Sequence, residues 1–134
     1  MSTLFHTHSG KAYRTHPKHR NGTPGASQWA TSISESIEFS IFEAAEREGW
    51  VDGAGNYWGV GVSRNSSPQI LGTLSEAYSK HPATSNPSDP WHGYPASPAK
   101  KGSGDVPPKD ILDTWLARSI ISRALKKRIM QWKV

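Results

Sequence analysis

The side chains of this chain that could move a proton near neutral pH are six histidines, at positions 6, 8, 16, 19, 81 and 92. His92 is the candidate general base. It sits in Asp89-Pro90-Trp91-His92-Gly93-Tyr94-Pro95, where flanking aromatics would exclude water and tune the imidazole. Such a base would serve a metal-free nuclease or transferase, with Arg14 or Arg20 stabilising the charge that develops. The competing reading is structural: Trp91 and Tyr94 fill gaps in a core, and His92 bonds a backbone carbonyl. One histidine without an identified partner is not an active site, so the structural reading is preferred.

The other histidines invite a metal. His6 and His8 are one residue apart, and on a strand both rings would share a face. His16 and His19 are two apart and could converge in a loop. A catalytic zinc would also want a carboxylate, yet residues 1–28 contain none. There is no His-Glu-x-x-His, no aspartate cluster and no cysteine. Gly53-Ala54-Gly55 follows a helical stretch and precedes a strand, the reverse of a dinucleotide-binding loop. Neither a metal nor a cofactor is expected.

Charge says more. The 134 residues carry a net +5, and that total hides a segregation. Residues 1–28 hold +4, residues 29–99 hold −5 and residues 109–134 hold +5. Basic ends flanking an acidic middle can balance each other, or can form a two-part surface for phosphates or an acidic partner. The contacts such a surface would use are Arg14, Lys18, His19 and Arg20 at one end and Arg123, Lys126, Lys127 and Lys133 at the other.

The elements that must position these groups follow from periodicity. A long amphipathic helix is expected over residues 27–48, with Trp29, Ala30, Ile33, Ile37, Ile41 and Ala44 on one face and Gly49 ending it. Phe39 and Phe42 lie off that stripe and imply a second contact, either the terminal segments or another protein. The alternation Trp58, Val60, Val62 against glycines reads as one strand whose glycine face admits a close neighbour. Ser67-Pro68 reads as the start of a helical turn, and Thr73-Leu74-Ser75-Glu76 has the form of a capping box opening a short helix. Pro108 starts a C-terminal helix pair, with Ser122 capping the second helix. The pair has the outline of a helix-turn-helix, without a glycine in its turn.

The expected fold is therefore α+β: one small, mostly helical domain over residues 1–134 with few short strands. Within it lie a basic N-terminal segment (1–26), a helical and strand core (27–81), a Pro-rich loop (82–107) and a basic helix pair (108–134). The expected function is a tryptophan-rich, non-enzymatic binding module contacting nucleic acid phosphates or an acidic protein surface. A small His-dependent nuclease is one alternative, and a protein-protein inhibitor or adaptor using Phe39 and Phe42 is the other. No apolar run is long enough to span a bilayer, and a cytoplasmic location is expected.

Overall fold

A computed structural model describes residues 2–61 and 63–134 and shows a small α+β domain. Among the described residues, four α-helices accompany one three-stranded antiparallel sheet and two short two-stranded ribbons. Helix α1 spans Glu35–Glu48. It starts eight residues later than the apolar spacing suggests. Ser34 is the reason: its side chain accepts from Ile37 N at 3.2 Å, a cap that fixes the first turn. Upstream, Trp29 and Ala30 run extended, with Trp29 bridging Gly72 and Ala30 N donating to Leu71 O. Gly49 ends the helix in the left-handed conformation, at φ 73°.

The buried face of α1 is Glu38, Ile41, Phe42 and Ala45, rotated from the expected stripe. It lies across strand β3 (Tyr57–Gly59), which pairs with β6 (Ser79–His81), itself paired with β7 (Tyr94–Pro95). The close approach depends on Gly59. A Cβ there would stand 2.5 Å from Ile41 Cγ2 and 2.9 Å from Ser79 Oγ.

The rest of the expected long strand is interrupted, because Ser63–Arg64 (β4) pairs locally with Ser67–Pro68 (β5). Ser67-Pro68 is thus a strand and not a helical turn, and Val62 lies outside the described residues. The expected helix at residues 73–76 is absent as well. Ser75 has φ 67°, and Glu76 Oε1 accepts from Leu74 N inside a turn. The side chain expected to cap a helix closes that turn instead.

The larger core gathers Trp50, Trp58, Tyr78 and Trp115 with Ile111, Leu112, Ile121 and Ile129. It belongs to the sheet and to the C-terminal helices α3 (Lys109–Ala117) and α4 (Arg123–Met130). Ser122 caps α4, its Oγ accepting from Leu125 N at 3.0 Å. A smaller core holds Trp29, Ile33, Ile41 and Leu71. Residues 82–107 are not one loop: they contain β7, helix α2 (Pro98–Lys101) and a 3-10 turn over Gly102–Asp105. The N-terminal segment is ordered too. Strands β1 (Phe5–His6) and β2 (Ala12–Tyr13) form a hairpin, followed by a 3-10 turn at Pro17–His19.

Candidate anion-binding cleft

Backbone pairing brings the two halves of the site together. Trp91 N donates to Ala12 O and Arg14 N donates to Trp91 O, which lays residues 91–94 against the N-terminal segment. Trp91 then packs on Phe42 and Tyr57, with ring centroids 5.4 Å and 5.3 Å away. Tyr94 enters the sheet opposite Lys80, and its hydroxyl donates to Asp105 Oδ1 at 2.8 Å. Between them, Gly93 passes directly over the buried ring of His81. A Cβ at position 93 would fall inside that imidazole. Gly93→Ala should therefore cost about 1–3 kcal/mol through forced displacement of a packed ring. Urea unfolding measures it, and an unchanged midpoint would contradict the packing described.

The same pairing delivers His92 to the 3-10 turn. Successive i, i+3 positions eclipse on such a turn, so His16 at its cap and His19 at its end present their rings on one side. The His92 ring lies 5.3 Å from that of His16 and 6.4 Å from that of His19. His19 in turn stacks on Tyr94 at 5.4 Å. His19, His92 and Tyr94 line an open cleft of about 510 Å³ with Lys18, Thr23–Ser27, Pro82 and Lys101, and His16 stands beside it against His92. No carboxylate lines it among the described residues.

Each imidazole is held differently. His19 Nδ1 lies 2.8 Å from Ser27 O, and because a carbonyl only accepts, the proton is on Nδ1 and Nε2 keeps its lone pair. Burial pushes the pKa of His19 down to about 4, so the ring is neutral near pH 7. His16 is the opposite tautomer when neutral. Its Nδ1 accepts from Lys18 N at 3.2 Å, which leaves the proton on Nε2. The His92 ring makes no hydrogen bond among the described residues, and burial, followed by the charges of His16 and Lys18, lowers its pKa. Ser27 lines the cleft with a buried hydroxyl that has no hydrogen-bond partner among the described residues. Lys101 crosses one rim, donating from Nζ to Gly25 O at 2.8 Å.

The expected site residues divide accordingly. Lys18, His19 and His92 meet in the cleft. Arg20 does not join them. Its guanidinium donates to Ile33 O at 2.5 Å and to the buried Glu38 Oε1 at 2.7 Å, so it is a structural cation and not a surface contact. Arg14 is exposed and outside the cleft lining. On α4 and beyond, Arg123, Lys127 and Lys133 are exposed, while Lys126 pairs with Asp113 at 2.5 Å.

Phe42 is fully buried, and Phe39 stacks on Phe5 at 4.8 Å. The two phenylalanines find their second contact inside the chain, in the N-terminal hairpin, and Phe42 has no surface left for a partner. Sequence reasoning left Lys101, Ser27 and Tyr94 out of the site. Of these only Tyr94 carries a signal in the sequence, as a large aromatic paired with Trp91 in Asp89–Pro95. His6 and His8 are exposed, and no group of three His, Cys, Asp or Glu side chains is placed to hold a metal ion among the described residues.

Comparison with family models, with curated proteins and with solved structures gives no match, so the cleft is read from its own chemistry. That chemistry is donors without acids. Two lysines, two imidazoles with a third beside them, a spare serine hydroxyl and no carboxylate among the described residues suit an anion.

Proposed function

We propose that this chain is a binding module for nucleic acid phosphates and that the histidine cleft is where a phosphate sits. The observation that carries the reading is that His19 and His92 meet Lys18 and Lys101 in a cleft with no carboxylate among the described residues, with His16 packed beside His92. An anion there is attracted by both lysines and accepts hydrogen bonds from His16 Nε2 and Ser27 Oγ.

The fold adds a second reason. Helix α2 touches both basic ends of the chain. Lys101 bonds the N-terminal segment through Gly25 O, while Ser97 Oγ and Ala99 N both donate to Val134 O. The exposed cations Arg123, Lys127 and Lys133 therefore belong to a segment anchored beside the cleft. Phosphates beyond the one in the cleft would fall to them. An acidic protein surface is the weaker candidate, since the buried Phe42 supplies no apolar anchor for it.

Affinity for a fluorescein-labelled single-stranded oligonucleotide, followed by anisotropy, should fall steeply with salt. Lys18→Ala should lower the slope of log K against log salt by about 1 and weaken binding similarly for every sequence. An affinity that is flat between low and moderate salt would refute the phosphate reading.

No described helix is long and apolar enough to cross a membrane.

A further inference from the structure

We infer that the cleft cleaves the RNA it binds, with His92 as the base and His16 as the acid of a transesterification on a single-stranded substrate. The inference rests on the phosphate-binding reading and adds a reaction to it. Three observations carry it. First, His92 lines a cleft open to a polymer, and the His16 ring, from the other end of the sequence, stands beside it with centroids 5.3 Å apart. Second, they are the two imidazoles of the cluster that reach solvent, His16 exposed and His92 partly so, whereas the His19 side chain is buried. His19 is committed through Nδ1 to Ser27 O, whereas the His92 ring is free of hydrogen bonds among the described residues and His16 is exposed. Third, the cations that would stabilise charge at phosphorus are already present, as Lys18 and Lys101.

The reaction needs nothing that the site and its substrate lack. His92 removes the proton from a ribose 2′-hydroxyl as that oxygen attacks the adjacent phosphorus. The O2′–P bond forms and the P–O5′ bond breaks. His16, as imidazolium, gives its Nε2 proton to the departing O5′. The products are a 2′,3′-cyclic phosphate and a 5′-hydroxyl, with no co-reactant and no change in oxidation state. Becoming an imidazolium makes His16 Nδ1 a donor, so the 3.2 Å contact from Lys18 N is given up, and that amide lies at the surface where water replaces the partner. His19 acts as a positioning residue. Fixed by Ser27 and stacked on Tyr94, it forms a wall against which His92 rests. DNA, which lacks the 2′-hydroxyl, is bound but is not a substrate.

The test uses the full chain and three oligonucleotides of one sequence: RNA, DNA, and RNA carrying a single 2′-deoxy step. Single-turnover rates at saturating protein separate cleavage from binding. The expected result is cleaved RNA with a 2′,3′-cyclic phosphate identified by mass, intact DNA, and protection at the 2′-deoxy step alone. His92→Ala and His16→Ala should each slow cleavage by about 100-fold or more, and His92→Gln serves if the alanine variant unfolds. RNA that is bound and left intact overturns the inference while the binding reading stands. Failure to bind either RNA or DNA overturns both. Cleavage that survives both His92→Ala and His92→Gln, or that extends to DNA, overturns the assignment of roles.

Discussion

Arg20→Ala should lower the unfolding free energy by about 3–5 kcal/mol, the largest effect we expect from a single substitution in this chain. The reason is Glu38. Its carboxylate is fully buried on the inner face of α1. Oε2 accepts from Tyr13 OH at 2.5 Å, and Oε1 accepts from Thr15 Oγ1 and Arg20 Nη2, each at 2.7 Å. Burial pushes this carboxyl upward, and the three donors, Arg20 among them, pull it back.

Removing the guanidinium leaves a buried acid without its counter-charge and also orphans Ile33 O, to which Arg20 Nη1 donates. The cost is that of an uncompensated charge and not of one lost contact. Replacing both partners with methionine should recover only part of the loss, because it removes the unpaired charge but leaves Thr15 Oγ1, Tyr13 OH and Ile33 O without these partners. Urea unfolding of the two single variants and the double variant forms the cycle that checks this. A loss under about 1 kcal/mol for Arg20→Ala would show that water reaches Glu38, contrary to the burial described.

Acid should act on the same region with comparable force. His81 is fully buried, with Nε2 2.8 Å from Ser79 Oγ and Nδ1 3.3 Å from Tyr13 OH. Burial pushes its pKa down to about 3, and that of His19 down to about 4. Both are neutral in the folded protein and take up protons near pH 6.5 once the chain is unfolded. The unfolded state therefore binds more protons through this window, and stability falls as pH drops. Each group contributes up to about 1.4 kcal/mol per pH unit, so the two together give a slope of about 2–3 kcal/mol per unit between roughly pH 6 and pH 4.

Below that range His81 continues to act until about pH 3, joined by Glu46 and Asp52, whose carboxyls their hydrogen-bond donors hold below the usual range. Glu38, with its raised pKa, works in the opposite direction. A domain of ordinary stability would be lost before pH 4. Melting temperatures at pH 7, 6, 5 and 4.5 measure the effect, and a constant value from pH 7 to 5 would contradict it.

The sequence carried the C-terminal half of this fold clearly. Pro108, the stripe Ile111, Leu112 and Trp115, and the cap at Ser122 are local signals, and the helices there need only local rules. The long helix was half legible. Its end at Gly49 is a local matter, but its start depends on Ser34, one of several serines in a stretch whose apolar spacing continues upstream without a helix. Trp29 and Ile33 have helical spacing by coincidence of two contacts, since both belong to the smaller core, Trp29 from a β-bridge and Ile33 from the turn that follows it.

The site was legible in its parts and not in its assembly. His92, Lys18 and His19 could be named from residue type. Their meeting depends on the pairing of Ala12 with Trp91, some eighty positions away, and a pairing so long in range leaves no local trace. Arg20 shows the opposite failure. Its basic neighbours mark it as a surface cation, and nothing local reveals that a glutamate one-third of the way along α1 is buried and in need of it.

The crossing of Gly93 over His81 links two positions in what the chain can tolerate. While a full imidazole fills the space beneath, position 93 admits no side chain at all. A smaller residue at 81 would open that space, and alanine at 93 would then become acceptable. Each change alone is harmful and the two together are mild, so the path between these states is a valley and drift across it is slow. The strap that carries His92 is held in sequence by a residue that never touches the cleft.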